Sequence, residues 1–66
     1  MANGKLKWYD ETKGFGFITT DEGKDIFVHR TGFATPSSEI NEGQEVEFDT
    51  KETDKGTVAV NVKSNN

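Results

Sequence analysis

The residues of this chain with the most distinctive chemistry are aromatic, and they are spaced two apart in two short segments. Phe15 and Phe17 occupy alternate positions of one segment, and Phe27 and His29 occupy alternate positions of the other. Side chains two apart on a β-strand point to the same face, so each segment collects its aromatic groups on one side. Aromatic rings stack on nucleic-acid bases whatever the base, at about 1–3 kcal/mol per base. The spacing therefore predicts a stacking surface for a single strand.

Positively charged side chains accompany these aromatic residues, as the phosphates of a nucleic-acid strand require. They are Lys5, Lys7, Lys13, Lys24, Arg30 and Lys55. The formal net charge of −4 at first argues against an anionic partner, but its distribution matters more than its sum. Residues 1–20 carry a charge of +1, whereas residues 39–54 carry −6. The first third of the chain can therefore present a cationic surface.

Short β-strands must position these groups, because no stretch of the chain shows helical periodicity. Alternating runs separated by Gly, Asp, Asn and Ser predict five strands, at about 4–10, 15–20, 25–30, 44–53 and 56–63. The remaining stretch, 31–43, is predicted to be a connecting loop with a short 3₁₀ turn. Five short antiparallel strands in so small a chain favour an all-β fold, a closed or nearly closed barrel that leaves no exposed edge.

The opposite faces of the predicted strands supply the core. The core is predicted to contain Leu6, Ile18, Ile26, Val28, Val46, Phe48, Val60 and Val62. A single barrel has one interior, so the aromatic residues are left outside, where each forgoes roughly 1.5–3 kcal/mol of burial. Exposed apolar clusters usually mark binding sites. The alternative, with the aromatic residues inside and the aliphatic residues outside, requires the opposite pleat in both strands.

Composition excludes several other classes of protein. The 66 residues allow one domain, too short to enclose the cleft that most enzymes use. There is no cysteine, and His29 is the only histidine, which argues against disulfides and against a metal site. No apolar run reaches the length of a membrane span, and the first residues do not resemble a secretion signal. We expect a non-enzymatic cytoplasmic protein without a cofactor or a small-molecule substrate.

Two motifs in a fixed order identify a family. The segment KGFGFI at 13–18 resembles the first ribonucleoprotein motif, and DIFVH at 25–29 resembles the second. With GKLKWY at 4–9 ahead of them, and EGQ at 42–44 and AVNV at 59–62 behind, nearly the whole chain resembles a bacterial-type cold-shock protein. The RNA-recognition motif fold has the two motifs in the opposite order and helices between its strands.

This resemblance implies a five-stranded antiparallel Greek-key β-barrel, the OB-fold, with residues 1–66 forming one cold-shock domain. It implies binding of single-stranded RNA and single-stranded DNA with little sequence demand, as in RNA chaperones that keep RNA unpaired; a monomer is the default. The residues that match the family's contacts are Lys7, Trp8, Lys13, Phe15, Phe17, Phe27, His29, Lys55 and Gly56. Simple alternation puts Trp8 on the same face as Leu6, so the first strand needs a bulge or a strong bend.

The chain also departs from the family at several positions. Arg30 replaces a usual aromatic residue, and the loop at 34–38 lacks the usual Phe. Phe33 is expected in the core, Tyr9 stands where the family has Phe, and Thr57 stands where many relatives have Pro. A guanidinium stacks on bases and pairs with phosphate, so Arg30 is expected to substitute in part. The smaller set of aromatic rings predicts a lower affinity or a shorter footprint than in a typical relative.

A different class of function remains open, that of a small barrel that binds another protein. It accounts for the acidic balance but not for the aromatic face. Salt dependence separates the two, because strand binding weakens steeply with salt while an aromatic protein interface responds weakly. A hydrolase is a distant third reading, since the carboxylates have no cleft to work in.

Overall fold

The computed structural model describes residues 2–64, which form five strands. The strands are β1 (Ala2–Asp10), β2 (Phe15–Thr20), β3 (Asp25–His29), β4 (Glu45–Thr53) and β5 (Gly56–Ser64). Two 3₁₀ turns, at Arg30–Gly32 and Ser37–Glu39, interrupt the connection between β3 and β4. The predicted strands and loop are confirmed, and no helix within 2–64 is long and apolar enough to cross a membrane. Met1, Asn65 and Asn66 of the predicted 1–66 domain lie outside the described residues.

The strands close into a barrel in the order β1-β2-β3-β5-β4, with β4 pairing back onto β1. The predicted all-β barrel of five strands is therefore confirmed. Four of the five pairings are antiparallel, but β3 and β5 pair in parallel. Directions cannot alternate around a closed ring with an odd number of strands, so at least one neighbouring pair must be parallel. The expectation that every pair of strands in the barrel is antiparallel is therefore wrong for the pair β3 and β5. Only an open sheet of five strands can be antiparallel throughout.

The interior of the barrel is aliphatic apart from one phenylalanine. Its buried residues are Leu6, Ile18, Val28, Ile40, Val46, Phe48, Ala59 and Val62. Ile40 comes from the connecting loop, where sequence alternation gives no signal. Ile26, predicted in the core, and Phe33, expected there, are partly buried and pack against its margin. The aliphatic residues of β2 and β3 face inward, so the alternative with the opposite pleat is wrong.

Strand β5 departs from simple alternation, and the prediction of Val60 as a core residue is wrong. The pairing with β4 shifts register between Glu47 and Asp49, and Asn61 adopts a φ of 54°. A bulge adds one residue to the strand and turns the side chains beyond it to the other face. As a result Ala59 and Val62, three residues apart, both point inward, while Val60 is only half-buried.

Gly16 allows the first two strands to approach closely. A Cβ at this position would lie 2.2 Å from the backbone oxygen of Trp8 and 2.7 Å from the Cα of Tyr9. These are backbone atoms, so no side-chain rotation relieves the clash. We expect Gly16→Ala to lower the free energy of unfolding by about 1–3 kcal/mol, as overpacking does, measured by urea denaturation. As a control, Gly23→Ala adds a methyl group that contacts nothing within 4 Å, although its φ of +84° carries its own backbone strain. An equal loss in both variants would contradict the close-approach explanation.

Candidate nucleic-acid interface

Four aromatic rings lie together on the outer face of β1, β2 and β3, and we call them the aromatic platform (Trp8, Phe15, Phe17 and Phe27). The ring centroids of Trp8 lie 6.0 Å from Phe15 and 5.5 Å from Phe17. Those of Phe27 lie 5.7 Å from Phe15, in a nearly stacked arrangement, and 5.9 Å from Phe17, edge to face. All four rings are half-buried by one another and leave part of their surface open.

A bulge in β1 brings Trp8 into the platform. Leu6 pairs with Ile18, but Trp8 pairs with Phe17, so two steps along β1 match one step along β2. Leu6 can therefore point into the core while Trp8 points outward beside Phe17. The predicted irregularity of the first strand is confirmed. It allows residues of one strand to serve the core and the outer face without strict alternation.

His29 extends the platform at the end of β3. It pairs with Phe15 across the sheet and is exposed. The Thr31 backbone N–H donates to its Nδ1 at 3.3 Å, and the Thr31 hydroxyl lies 3.0 Å from the same atom. These contacts restrain the imidazole beside the phenylalanine rings. Within residues 2–64 no group of three His, Cys, Asp or Glu side chains is arranged to hold a metal ion.

The hairpin between β4 and β5 forms a second wall along the platform. A groove of about 470 Å³ runs between Phe17, Phe27 and His29 on one side and Lys55 with its neighbours Thr53 and Thr57 on the other. This geometry brings Lys55 close to the predicted stacking residues, although it lies 26 or more positions from them in the chain. A base lying in the groove would meet aromatic carbon on one side and a cation on the other.

Side-chain hydrogen bonds brace this hairpin. The hydroxyl of Thr57 donates to the Glu52 carboxylate at 2.8 Å, and the hydroxyl of Thr53 donates to the backbone oxygen of Gly56 at 2.8 Å. Gly56 has a φ of +112°, a conformation that L-residues rarely adopt. Thr57 thus ties the two strands together through its side chain.

Lys13 is positioned by the turn between β1 and β2. The Asp10 carboxylate accepts hydrogen bonds from the backbone N–H groups of Thr12 and Lys13, at 2.9 and 3.1 Å. The backbone N–H of Gly14 donates to the backbone oxygen of Asp10 at 2.7 Å and closes the turn. An Asp that bonds to the backbone two and three residues ahead stabilises such turns. Lys13 is exposed next to Phe15, where it can reach a phosphate.

Lys7, another predicted contact, is held by an acidic neighbour. Its Nζ lies 2.8 Å from the Asp25 carboxylate, and both side chains are about half exposed. The Thr19 hydroxyl donates to the same carboxylate at 3.0 Å. The hydrogen bond from Lys7 and, secondly, that from Thr19 lower the pKa of Asp25 below its ordinary value of 3.8. An exposed pair of this kind exchanges readily with solvent ions, so a phosphate can replace Asp25 as the partner of Lys7.

The lowered pKa of Asp25 predicts a specific loss of stability in acid. Its folded-state pKa is below the unfolded one, so its contribution is present at neutral pH and disappears as pH falls through the folded value. We expect the difference in free energy of unfolding between the wild type and Asp25→Asn to shrink below about pH 5. Urea denaturation followed by Trp8 fluorescence at a series of pH values measures it. Asp21→Asn, the same substitution in the exposed turn before β3, is the control for the change in net charge. Parallel curves for wild type and Asp25→Asn would contradict this account.

Arg30 lies beside the platform and faces a different pocket. Its guanidinium rests against Gly14, and it lines an open pocket together with Tyr9 and Glu11. The ring of Tyr9 is half-buried and meets Phe33 edge to face, with centroids 5.1 Å apart. Tyr9 therefore belongs to the margin of the core and to this pocket, while its neighbour in the chain belongs to the platform.

The closed barrel and its aromatic outer face together place the protein in a structural class, the small OB-type barrels that use one surface for binding. The family described as the "'Cold-shock' DNA-binding domain" matches residues 2–65. Cold shock protein 1 of Lactiplantibacillus plantarum is 44% identical over 63 residues, which cover 94% of this chain and 96% of that protein. The cold shock-like protein of Thermotoga maritima is 51% identical over 65 residues, covering 91% and 92%.

A solved structure also resembles this chain over nearly its whole length. The structure titled "drosophila Unr CSD456" superposes with a TM-score of 0.78 at 30% identity, over 96% of this chain and 26% of that longer chain. The chain belongs to the cold-shock domain family, and as such it is a nucleic-acid-binding protein of the cold-shock type.

Proposed function

We propose that this protein binds single-stranded RNA and single-stranded DNA with little sequence preference and keeps RNA unpaired, as a cytoplasmic monomer without enzymatic activity or cofactor. The observation that carries the proposal is the aromatic platform, four rings in mutual contact on an outer face that a soluble barrel has no structural reason to leave open. In this proposal His29 adds a fifth ring, and Lys7, Lys13, Lys55 and the Gly56 turn meet the backbone.

The geometry favours single strands over duplexes. Bases inside a duplex are already stacked on one another and cannot lie on a protein ring without unpairing. An unpaired strand exposes a π-face at every base, and each ring offers about 1–3 kcal/mol for it irrespective of the base. A ligand that binds only the unpaired form shifts the equilibrium toward that form by mass action, so opening of weak RNA structure needs no ATP.

The number of lysines near the platform limits how much ionic attraction contributes to the affinity. Lys13 is exposed in the turn before Phe15, and Lys55 is exposed in the hairpin that lines the groove. Lys7 becomes available when its bond to Asp25 exchanges. Three phosphate contacts on a single strand predict a slope of about −2 for log K against log[salt]. Because Arg30 lies off the platform and the 34–38 loop supplies no ring, we expect a short footprint of about 4–7 nucleotides.

Quenching of Trp8 fluorescence tests the proposal, since Trp8 is part of the platform. Titration with oligo-dT and oligo-U of about seven nucleotides, at several salt concentrations, should give saturable quenching with the slope stated above. A duplex of the same length is the control and should quench little. Equal affinity for duplex and single strand would overturn the proposal. A protein-interaction module would instead show no oligonucleotide binding.

A further inference from the structure

A second open pocket adjoins the platform and has a different chemical character. We call it the Arg30 pocket, and it has a volume of about 380 Å³. Its walls are formed by Tyr9, Glu11, Arg30, Pro36 and Ser38. The pocket lies at the Phe15 end of the platform. Asp10 and His29 both pair with Phe15, one on each side, and the pocket residues Glu11 and Arg30 directly follow them in the chain. A strand that leaves the platform past Phe15 and His29 therefore reaches this pocket next.

The side chain of Arg30 packs against the turn that joins β1 and β2. The backbone N–H of Arg30 donates to the Gly14 oxygen at 2.7 Å. Its side chain lies flat against Gly14, where a Cβ would be 2.5 Å from both Nε and Nη2. Gly14 has a φ of +79°, so glycine suits both the turn and this contact. A planar guanidinium, whose N–H donors form a rigid fork, is suited to reading the edge of a planar ligand.

The pocket contains the Arg30 guanidinium and the Glu11 carboxylate, and the two groups do not form an ion pair with each other. Glu11 lines the same pocket, yet within residues 2–64 the single ion pair shorter than 4.0 Å is that of Lys7 with Asp25. Arg30 and Glu11 are both exposed and both free to meet one ligand. A phosphate placed there would be attracted by the guanidinium but repelled by the carboxylate. A neutral ligand with donors on one edge and acceptors on the next satisfies both groups.

Among the bases of a nucleic-acid strand, guanine has that arrangement. Its N1–H and N2–H groups offer two adjacent donors for a carboxylate, and its O6 and N7 offer two adjacent acceptors for a guanidinium. Adenine, cytosine, thymine and uracil each present a single donor position to the carboxylate. We propose that the Arg30 pocket binds one guanine base of the strand that crosses the platform, with Glu11 and Arg30 reading two of its edges. This inference rests on the proposed single-strand binding and adds one specific position to it.

The test compares oligonucleotides of one length that differ at one base. A single dG is moved through oligo-dT of about seven nucleotides, and affinity is measured by Trp8 quenching. At one position near an end of the strand, dG should raise affinity about fivefold to tenfold over dT, the weaker end of the range for bidentate base recognition. Deoxyinosine, which lacks N2–H, and 7-deaza-dG, which lacks N7, should each lose most of this gain. Glu11→Gln should bring the dG/dT ratio close to one, whereas Glu22→Gln, the same charge change in an exposed turn, should preserve it.

The outcomes separate this inference from the proposed function. Normal oligo-dT binding with no preferred dG position would overturn the guanine pocket and leave single-strand binding intact. A dG preference that persists in Glu11→Gln, or that inosine retains in full, would also overturn it. Failure of every oligonucleotide to bind would overturn the proposed function itself. Circular dichroism of Glu11→Gln and Glu22→Gln checks that both variants remain folded.

Discussion

Replacing Phe17 with alanine is expected to weaken binding of oligo-dT by about 1–3 kcal/mol, roughly 5- to 150-fold in Kd, while the barrel stays folded. Phe17 lies at the centre of the platform, in contact with Trp8 and paired with Phe27 across the sheet. Its ring is only half-buried and contributes nothing to the interior. The measurement is a titration by Trp8 quenching, with a urea denaturation curve for the same variant.

A second substitution separates stacking from simple apolar contact. Phe17→Leu keeps most of the apolar area of the side chain but removes the π-face. If bases stack on the ring, this variant should lose most of the affinity that Phe17→Ala loses. If the surface instead docks an apolar partner, Phe17→Leu should behave like the wild type. A Phe17→Ala protein that unfolds, yet binds with unchanged affinity in its folded fraction, would contradict the placement of the ring on the binding face.

Replacing the next residue in the chain is expected to have the opposite effect. Ile18 points into the barrel and is completely buried, so Ile18→Ala removes core contacts and leaves a cavity. Such truncations cost about 2–5 kcal/mol. A 66-residue domain has in total roughly 3–10 kcal/mol of stability, so this variant should be close to unfolding at room temperature. Urea denaturation measures the loss, and oligo-dT affinity per folded molecule should stay near that of the wild type.

Ile18→Val keeps the test informative if the alanine variant does not fold. It should cost about 0.5–1.5 kcal/mol, in the same direction and with the same unchanged affinity. A strong loss of binding with an unchanged unfolding midpoint in either Ile18 variant would contradict the assignment of faces. The two neighbours, Phe17 and Ile18, thus form a matched pair in which one side chain serves binding and the other serves folding.

Local sequence was sufficient to predict the centre of the candidate site. In β2 and β3 the chain alternates without interruption, and alternation along a strand decides the face of each side chain whatever its neighbours are. Alternation alone therefore assigns Phe15, Phe17 and Phe27 to one face, whatever residues they pair with. For Trp8 alternation alone fails, and it was the resemblance to a known family, together with the burial of Leu6, that demanded the bulge observed in β1.

Features that depend on a partner distant in the chain follow from the three-dimensional fold. Simple alternation points Val60 into the core, but the bulge at Asn61, which arises in the pairing of β5 with β4, puts Ala59 there instead. Ile40 is buried because the loop that carries it folds over the barrel, a packing that no periodicity encodes. Closure of five strands into a ring imposed a parallel pair that hairpin signals alone do not reveal.

The same distinction holds for the charged residues of the interface. The order of residues shows only that Lys7 and Arg30 are next to aromatic residues along the chain. Only the fold brought Asp25, 18 residues away, within 2.8 Å of Lys7 and placed Arg30 against Gly14 in a pocket off the platform. Long charged side chains take their direction from the groups around them, whereas a strand residue takes its face from the backbone. The aromatic face was therefore readable from the sequence, and the positions of its charges were not.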